Sequence, residues 1–493
     1  MSSHSRFGDR VAGAAALLLL MVGGCTVNPA TGNSDFTPFM GPQQEARIGA
    51  EEHPKMIEQF GGIYDVPEVT GYVASIGGRL VANSEMPTLQ FTFSVLNSPV
   101  VNAFALPGGY VYVTRGLIAL ANSEAELAGV LAHEIGHVTA RHTAQRYNRA
   151  MATSLGATIL DAWVGGGAAS QAIGLGAQLY LASYSRSQET EADVLGIRYL
   201  RRTGYDPYAE ADFLKSLQQN SDLLKRIYAP DSRERALDQF FTSHPQTGER
   251  VIHAIQQAGG ASDAETMPRL RDRFLDHIRD MVYGDSPEDG FIRGQTFSHP
   301  ELGITFTVPD GYRLNNSKQA VVAKGPNDAL IVFDAAPNPP RYMLMDVYLT
   351  QEWAKGAVLK DVETLKINGL EAATGWTNAG SGSNSKEVRL VAIRFSRDKI
   401  YRFQMATPVQ WAANRAEALQ RTTYSFRKLS ATEMAALKPL RVRIAKVREG
   451  DTVQTLSDAM AYGDFKEDRF RVLNALAPDA SVTPGQRVKI ISE

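Results

Sequence analysis

Cysteine is nearly absent. The single one in the 493-residue chain is Cys25, so no internal disulfide can form. Stability must come from apolar cores, which the 44% hydrophobic content is able to supply. An excess of charge is also missing: 51 Lys and Arg face 53 Asp and Glu with no long basic block, which argues against a nucleic-acid partner. Uninterrupted hydrophobic runs of membrane length are lacking too, since a bilayer span needs roughly 20 apolar residues. Val11 to Val22 is shorter and, behind Arg6 and Arg10, has the length of a signal-peptide core. Met151 to Tyr184 is apolar but divided by Gly165-Gly166-Gly167 and interrupted by Asp161, Gln171 and Gln178, so it fails as a span. It reads as two short helices joined by a hinge, packed either as an ordinary helical pair or as a lid over a cleft. The length predicts two or three domains.

What is present is His133-Glu134-Ile135-Gly136-His137, an H-E-x-x-H run. Histidines four apart share one helix face and can hold a single Zn²⁺. Glu134 lies about a quarter turn round the helix and can take a proton from water as a general base. Ser123 and Glu126 form a capping-box pattern ahead of Leu127, Val130, Leu131, Ile135 and Val138, which predicts a helix buried on one side. The longer H-E-x-x-H-x-x-G-x-x-H motif is excluded by Ala140 and Thr143. His142 is expected to point away from the metal face into solvent.

A catalytic zinc site usually takes three protein ligands and leaves one position open. Ser187 is expected to cap a helix through Leu195, Tyr199 and Leu200 that stops at Gly204, with Pro207 beyond. Glu189 and Asp193 share a face of that helix, and Glu191 points elsewhere. A glutamate from that face would complete a His₂Glu set, and Asp193 could orient a ligand histidine from behind.

The run Asn102-Ala103-Phe104-Ala105-Leu106-Pro107-Gly108-Gly109, then Tyr110 to Thr114, the H-E-x-x-H helix and Glu189-x-x-x-Asp193 resembles the HtpX/BepA-type zinc metallopeptidases, which include Oma-like members. The likeness covers roughly residues 40 to 255. It implies one Zn²⁺ per chain held by His133, His137 and Glu189, with Glu134 catalytic. It also implies that Asn102, Ala103 and Phe104 begin an edge strand that pairs with an extended protein substrate. Ser243-His244-Pro245 with Arg250 is similar to a motif of periplasmic members. That likeness gives His244 one of two roles, a regulatory fourth ligand or an active-site donor to the oxyanion. BepA-like members carry helical repeats after the protease. No such period is visible here, so their partners are not carried over.

Val22-Gly23-Gly24-Cys25 resembles a bacterial lipobox, which implies lipidation of Cys25. Thr26 in place of Asp, by similarity to Gram-negative lipoproteins, implies the periplasmic side of the outer membrane. The expected organisation is a signal peptide at 1–24, a tether at 25–40, a metallopeptidase domain at 41–284, an α+β domain at 285–432 and a module at 440–493. In the second domain strands are expected at Gly303–Val308, Ala320–Lys324, Ala329–Asp334, Glu387–Ser396 and Lys399–Ala406, with helices at Leu344–Trp353 and Val409–Thr422. The last segment, from Val447-x-x-Gly450-Asp451-Thr452-Val453-x-x-Leu456 to Pro484-Gly485-Gln486-Arg487-Val488-Lys489-Ile490, resembles a LysM βααβ module, a fold that often binds peptidoglycan.

The fold class expected is therefore α+β: a mainly helical, zincin-like domain with a small sheet, an α+β domain and a LysM-like module. The function expected is a zinc endopeptidase of the bacterial envelope that degrades misfolded or stalled proteins. The alternatives are a latent or non-catalytic assembly or peptidoglycan-binding factor, and a peptidoglycan hydrolase.

Overall fold

The computed structural model describes residues 25–32, 34–37, 40–148, 183–228, 243–245, 248–259, 267–317 and 320–493. The expected signal peptide lies outside these residues, as does the expected lid apart from its last two positions. The chain is mixed helix and sheet. Contacts gather it into two compact units, residues up to Gly284 joined by Arg441–Ser492, and Asp285–Leu440. Among the described residues no helix is long and apolar enough to cross a membrane.

In the first unit, α1 (Pro42–Gln59) and α2 (Pro67–Ala82) both open on proline, whose missing N–H costs nothing in a first helical turn. Strands β1 (Thr92–Leu96), β2 (Ala103–Leu106) and β3 (Tyr110–Thr114) form a sheet with β3 in the middle, parallel to β1 and antiparallel to β2. The tight β2–β3 link requires Gly108 and Gly109 at φ +80° and +90°. Next come α3 (Arg115–Leu120) and α4 (Glu124–Thr139), the helix that carries H-E-x-x-H. Leu127, Leu131 and Ile135 on α4 are fully buried, and each such side chain contributes about 1.5–3 kcal/mol. Helix α4 packs on β2, on α5 (Arg186–Thr203) and on α6 (Tyr208–Tyr228). The unit continues through α7 (Gly248–Ala258), α8 (Arg271–His277) and β4 (Val282–Tyr283).

The α4 cap departs from the expected reciprocal pair. Ser123 accepts the Glu126 N–H at 3.1 Å, but the Glu126 carboxylate turns to the Asn122 N–H at 2.9 Å. Ser123 is fully extended (φ −156°, ψ 163°), and the carboxylate closes on the amide one residue earlier.

The C-terminal segment runs β5 (Leu440–Lys446), α9 (Val453–Asp458), α10 (Lys466–Leu473) and β6 (Arg487–Ser492). Strand β5 lies between β6 and β4 in a three-stranded sheet, so this segment shares a sheet with the first unit. Lys489 on β6 is fully buried and donates to the carbonyls of Ala119 (2.8 Å), Leu120 (3.2 Å) and Ala121 (2.6 Å). Those are the terminal carbonyls of α3, which have no helical partners. All three ammonium protons are used. Burial, with the Arg271 charge adding to it, pulls the ammonium well below the ordinary lysine range against the pull of Glu126. The Glu126 carboxyl, also buried, is raised to about 7.

The second unit holds a seven-stranded antiparallel sheet in the order Arg313–Asn316, Ala320–Lys324, Leu330–Ala335, Lys399–Pro408, Lys386–Ser396, Leu370–Ala379, Lys360–Ile367. A four-stranded sheet and a helix at Val409–Ser425 accompany it, over a core that includes Phe306, Phe333, Phe403 and Phe426. Three of these strands, Arg313–Asn316, Lys360–Ile367 and Leu370–Ala379, lie outside the stretches where strands are expected. The helix expected at Leu344–Trp353 is a short α-turn, Met345–Val347, that widens to π-type winding over Tyr348–Trp353.

Substituting Lys489→Met keeps the stem but removes the three donors. It is expected to destabilise the whole chain by about 3 kcal/mol, the scale of buried carbonyls left without partners. A urea unfolding midpoint equal to that of the parent would show that those carbonyls find other donors.

Candidate metal centre

The site is built where α4 and α5 come closest. Gly136 and Gly196 are the contact points. A Cβ on Gly136 would lie 3.1 Å from the Ala192 carbonyl, and one on Gly196 would lie 3.2 Å from the His133 nitrogen. Helix α5 starts at Ser185, whose hydroxyl accepts the Gln188 N–H while the Gln188 side chain returns to the Ser185 N–H. The expected cap, Ser187, is instead in the first turn. The helix ends as expected on Gly204 in the left-handed region.

His133, His137 and Glu189 are all buried and converge. The two Nε2 atoms are 3.0 Å apart, and Glu189 stands 3.4 Å from His137 Nε2 and 3.7 Å from His133 Nε2. Two nitrogens about 2.0–2.1 Å from one tetrahedral ion would be about 3.3 Å apart, so this spacing fits a shared zinc. His244 joins the group, with Nδ1 3.3 Å from His133 Nε2 and 3.1 Å from Glu189 Oε1. One donor atom from each of the four residues lies within 4.8 Å of all the others.

Glu134 is fully buried, and neither carboxylate oxygen has a hydrogen-bond partner among the described residues. His244 Nε2 stands 3.5 Å from its Oε1. Burial raises the Glu134 carboxyl, His244 and His133 oppose the shift, and Glu189 adds to it. For Glu189, burial would raise the pKa but the positive fields of His244 and Arg250 and the hydrogen bonds from His137 and His244 win, so it is held well below the carboxylate range. His137 is pushed well below the imidazole range, mainly by burial. His244 shifts the other way: burial lowers it, but Glu189 and Glu134 together raise it.

Behind the donors, Asp193 Oδ1 is 3.0 Å from His133 Nδ1, off the ideal hydrogen-bonding line. Arg250 holds Asp193 with two hydrogen bonds, Nε at 2.8 Å and Nη2 at 2.6 Å, and its Nη1 is 2.6 Å from Glu189 Oε2. One guanidinium thus spans the two carboxylates of the α5 face. The Asn102, Ala103 and Phe104 segment is buried. Strand β2 begins at Ala103 and forms the sheet edge, while Asn102 donates its N–H to Thr114 Oγ1. The side chain of Cys25 lies outside what is described.

Three participants were not legible. Glu210 in the first turn of α6 places Oε1 3.9 Å from His133 Nδ1, and burial with the nearby Asp193 charge raises its carboxyl well above the usual range. In sequence it is one more acid at a helix start. Tyr184 stacks on the His137 ring at 3.8 Å and 15°. His142 is the third, and its expected exposure is wrong: it is fully buried. The reason is local. Helix α4 stops at Thr139, Arg141 takes φ +55°, and its guanidinium is tied to Glu45 and the Met40 carbonyl. The helical register that sent His142 outward is broken there.

Residues 67–258 match peptidase family M48. The chain is 38% identical over 192 residues to the beta-barrel assembly-enhancing protease of Yersinia pestis, covering 35% of this chain and 38% of that one. It is 32% identical over 219 residues to the protein of that name from Escherichia coli strain K12, covering 41% and 45%. To the mitochondrial metalloendopeptidase OMA1 of Schizosaccharomyces pombe it is 31% identical over 213 residues, covering 42% and 59%. The chain thus spans between 38% and 59% of the length of these relatives.

Enlarging Gly196 tests the helix contact. Gly196→Val is expected to cost about 1–3 kcal/mol, as overpacking does, and to lower bound metal measured by atomic absorption. Full metal content in this variant would show that the close approach is dispensable.

Proposed function

From the premise that residues 67–258 are an M48 domain of the Oma/BepA type, we propose that the chain is a zinc-dependent endopeptidase of the bacterial cell envelope that cleaves misfolded or stalled periplasmic and outer-membrane proteins. The observation that carries this reading is the buried triangle of His133, His137 and Glu189 beside a Glu134 carboxylate that has no hydrogen-bond partner among the described residues. Two neutral imidazoles and one carboxylate are the ligand set of catalytic zinc sites. When bound there, zinc supplies Lewis acidity toward a peptide carbonyl.

The chain's own residues do the rest. Glu134, with a raised pKa, accepts the proton of the attacking water and passes it to the departing amine. Arg250 keeps Glu189 ionised and in place, and Asp193 fixes the His133 ring. Strand β2 is the outer strand of its sheet among the described residues, which supports pairing with an extended substrate. His244 Nδ1 stands close enough to the donor atoms of His133 and Glu189 to serve as a fourth ligand, which supports the regulatory role and a latent resting state.

The lipobox at Cys25 supports anchoring at the periplasmic face of the outer membrane, and the LysM-like pattern supports contact with peptidoglycan. The second reading is a latent or non-catalytic envelope factor, favoured by the His244 placement. Glu134 argues against it, because a purely structural site has no use for a base.

Two variants decide the matter, made in a soluble form beginning after Cys25 and assayed on casein. Glu134→Gln is expected to abolish cleavage while zinc content stays near one per chain. His244→Ala is expected to raise cleavage several-fold. An inert parent with an equally inert His244→Ala variant would favour the non-catalytic reading. A fall of roughly 10²–10³ on His244→Ala would make His244 the oxyanion donor instead.

A further inference from the structure

The His137 ring does not end the network. Its Nδ1 lies 2.8 Å from Nδ1 of His142, and the other nitrogen of His142, Nε2, lies 3.2 Å from Glu191 Oε2. His142 is fully buried, whereas the Glu191 side chain is partly exposed. The chain of contacts therefore runs from the metal-facing triangle to the surface along one line. Glu191 sits on α5 between Glu189 and Asp193 in sequence but on another face, so the same helix contributes both ends of it.

We propose that His142 and Glu191 are positioning residues that fix the tautomer of His137, leaving its Nε2 bare for the metal. The argument is one of proton order and rests on the zinc reading given above. A carboxylate oxygen only accepts, so the His142 nitrogen facing it must carry the proton. A neutral imidazole has one such proton, so His142 Nδ1 presents a lone pair. Two imidazole nitrogens 2.8 Å apart need one N–H between them, and His137 Nδ1 must therefore be the donor. That leaves a lone pair on His137 Nε2, the atom that stands 3.0 Å from His133 Nε2 and 3.4 Å from Glu189 Oε1. Without the outer carboxylate His142 can take the opposite tautomer and donate to His137. The proton then moves to His137 Nε2, which cannot bind a metal. His133 has a carboxylate directly behind it, Asp193. His137 has none among the described residues, and His142 transmits the preference of Glu191 across one ring. The Tyr184 ring stacked on His137 and bonded to Thr143 at 3.1 Å holds the geometry in which this works.

A merely structural His142 would satisfy the same contacts, so the readout is zinc affinity by competition with a chromophoric chelator, on the whole soluble chain, with thermal unfolding of the metal-free protein alongside. His142→Leu keeps the bulk and removes the acceptor. It is expected to weaken zinc about 10- to 100-fold, the usual consequence of losing such an outer partner. Glu191→Met, at a partly exposed position, keeps the length of the side chain but removes the acceptor, and is expected to weaken zinc several-fold without shifting metal-free unfolding. His142→Asn, whose amide oxygen can still accept, is expected to recover part of the loss. Parent-like zinc affinity in Glu191→Met overturns the proposal, and if His142→Leu fails to fold, Glu191→Met and His142→Asn still decide it. Failure of a different kind is separable: a parent that takes up no zinc overturns the metal reading itself, not only the role of His142.

Discussion

The contact between α4 and α5 across Gly136 and Gly196 is the constraint from which the site follows. A helix side chain reaches only a few ångströms beyond its backbone, so a glutamate on one helix meets two imidazoles on another only if the axes come unusually close. Glycine removes the Cβ atoms that would hold them apart. The three candidate ligands, Asp193 and Glu191 are then all distributed over two helices, and no loop has to be ordered to bring them together.

Once those helices touch, charge must be managed in a dry interior. Glu134, Glu189, Asp193 and Glu210 are all buried, and Arg250 is the cation shared by Asp193 and Glu189. Burying an ion without a partner costs several kcal/mol, and one guanidinium cannot offset four carboxylates. The responses differ by position. Glu189 and Asp193, in contact with Arg250, are held ionised, whereas Glu134 and Glu210 are driven toward their protonated forms. The low-pKa pair faces the imidazoles, which is the charge pattern a divalent ion requires. The raised pKa of Glu134 suits a group that must accept a proton and give it back.

The far end of the assembly is stabilised by the same logic in reverse. Lys489 is a buried amino group with no carboxylate in hydrogen-bonding contact among the described residues, held by three carbonyl oxygens at the end of α3, three residues before α4 begins. Asn474 ties α10 to the Lys489 backbone in both directions, at 2.7 and 2.9 Å. The βααβ segment therefore supports the approach to the helix that carries H-E-x-x-H.

Much of this was legible in local pattern. H-E-x-x-H, the apolar stripe through Leu127, Leu131 and Ile135, the Gly204 stop and the β-alternation at Ala320–Lys324 are short-range features, fixed by 3.6- and 2-residue periods that the sequence displays directly. The hairpin at Lys360–Ala379 also had a signal, Asn368-Gly369 with both φ positive, but its largely exposed first strand shows no alternation to draw the eye. His142, Glu210, Tyr184 and Lys489 belong to another class. Their roles depend on where α4 ends, on which helix lies behind His133, and on a strand some 370 residues away in the chain reaching the Ala119 carbonyl. Sequence by itself determined the donor types and the helix faces they occupy, because backbone periodicity acts locally. Only tertiary structure decided which buried polar groups meet, because desolvation makes every such group find a partner and the chain's packing alone determines which one is within reach.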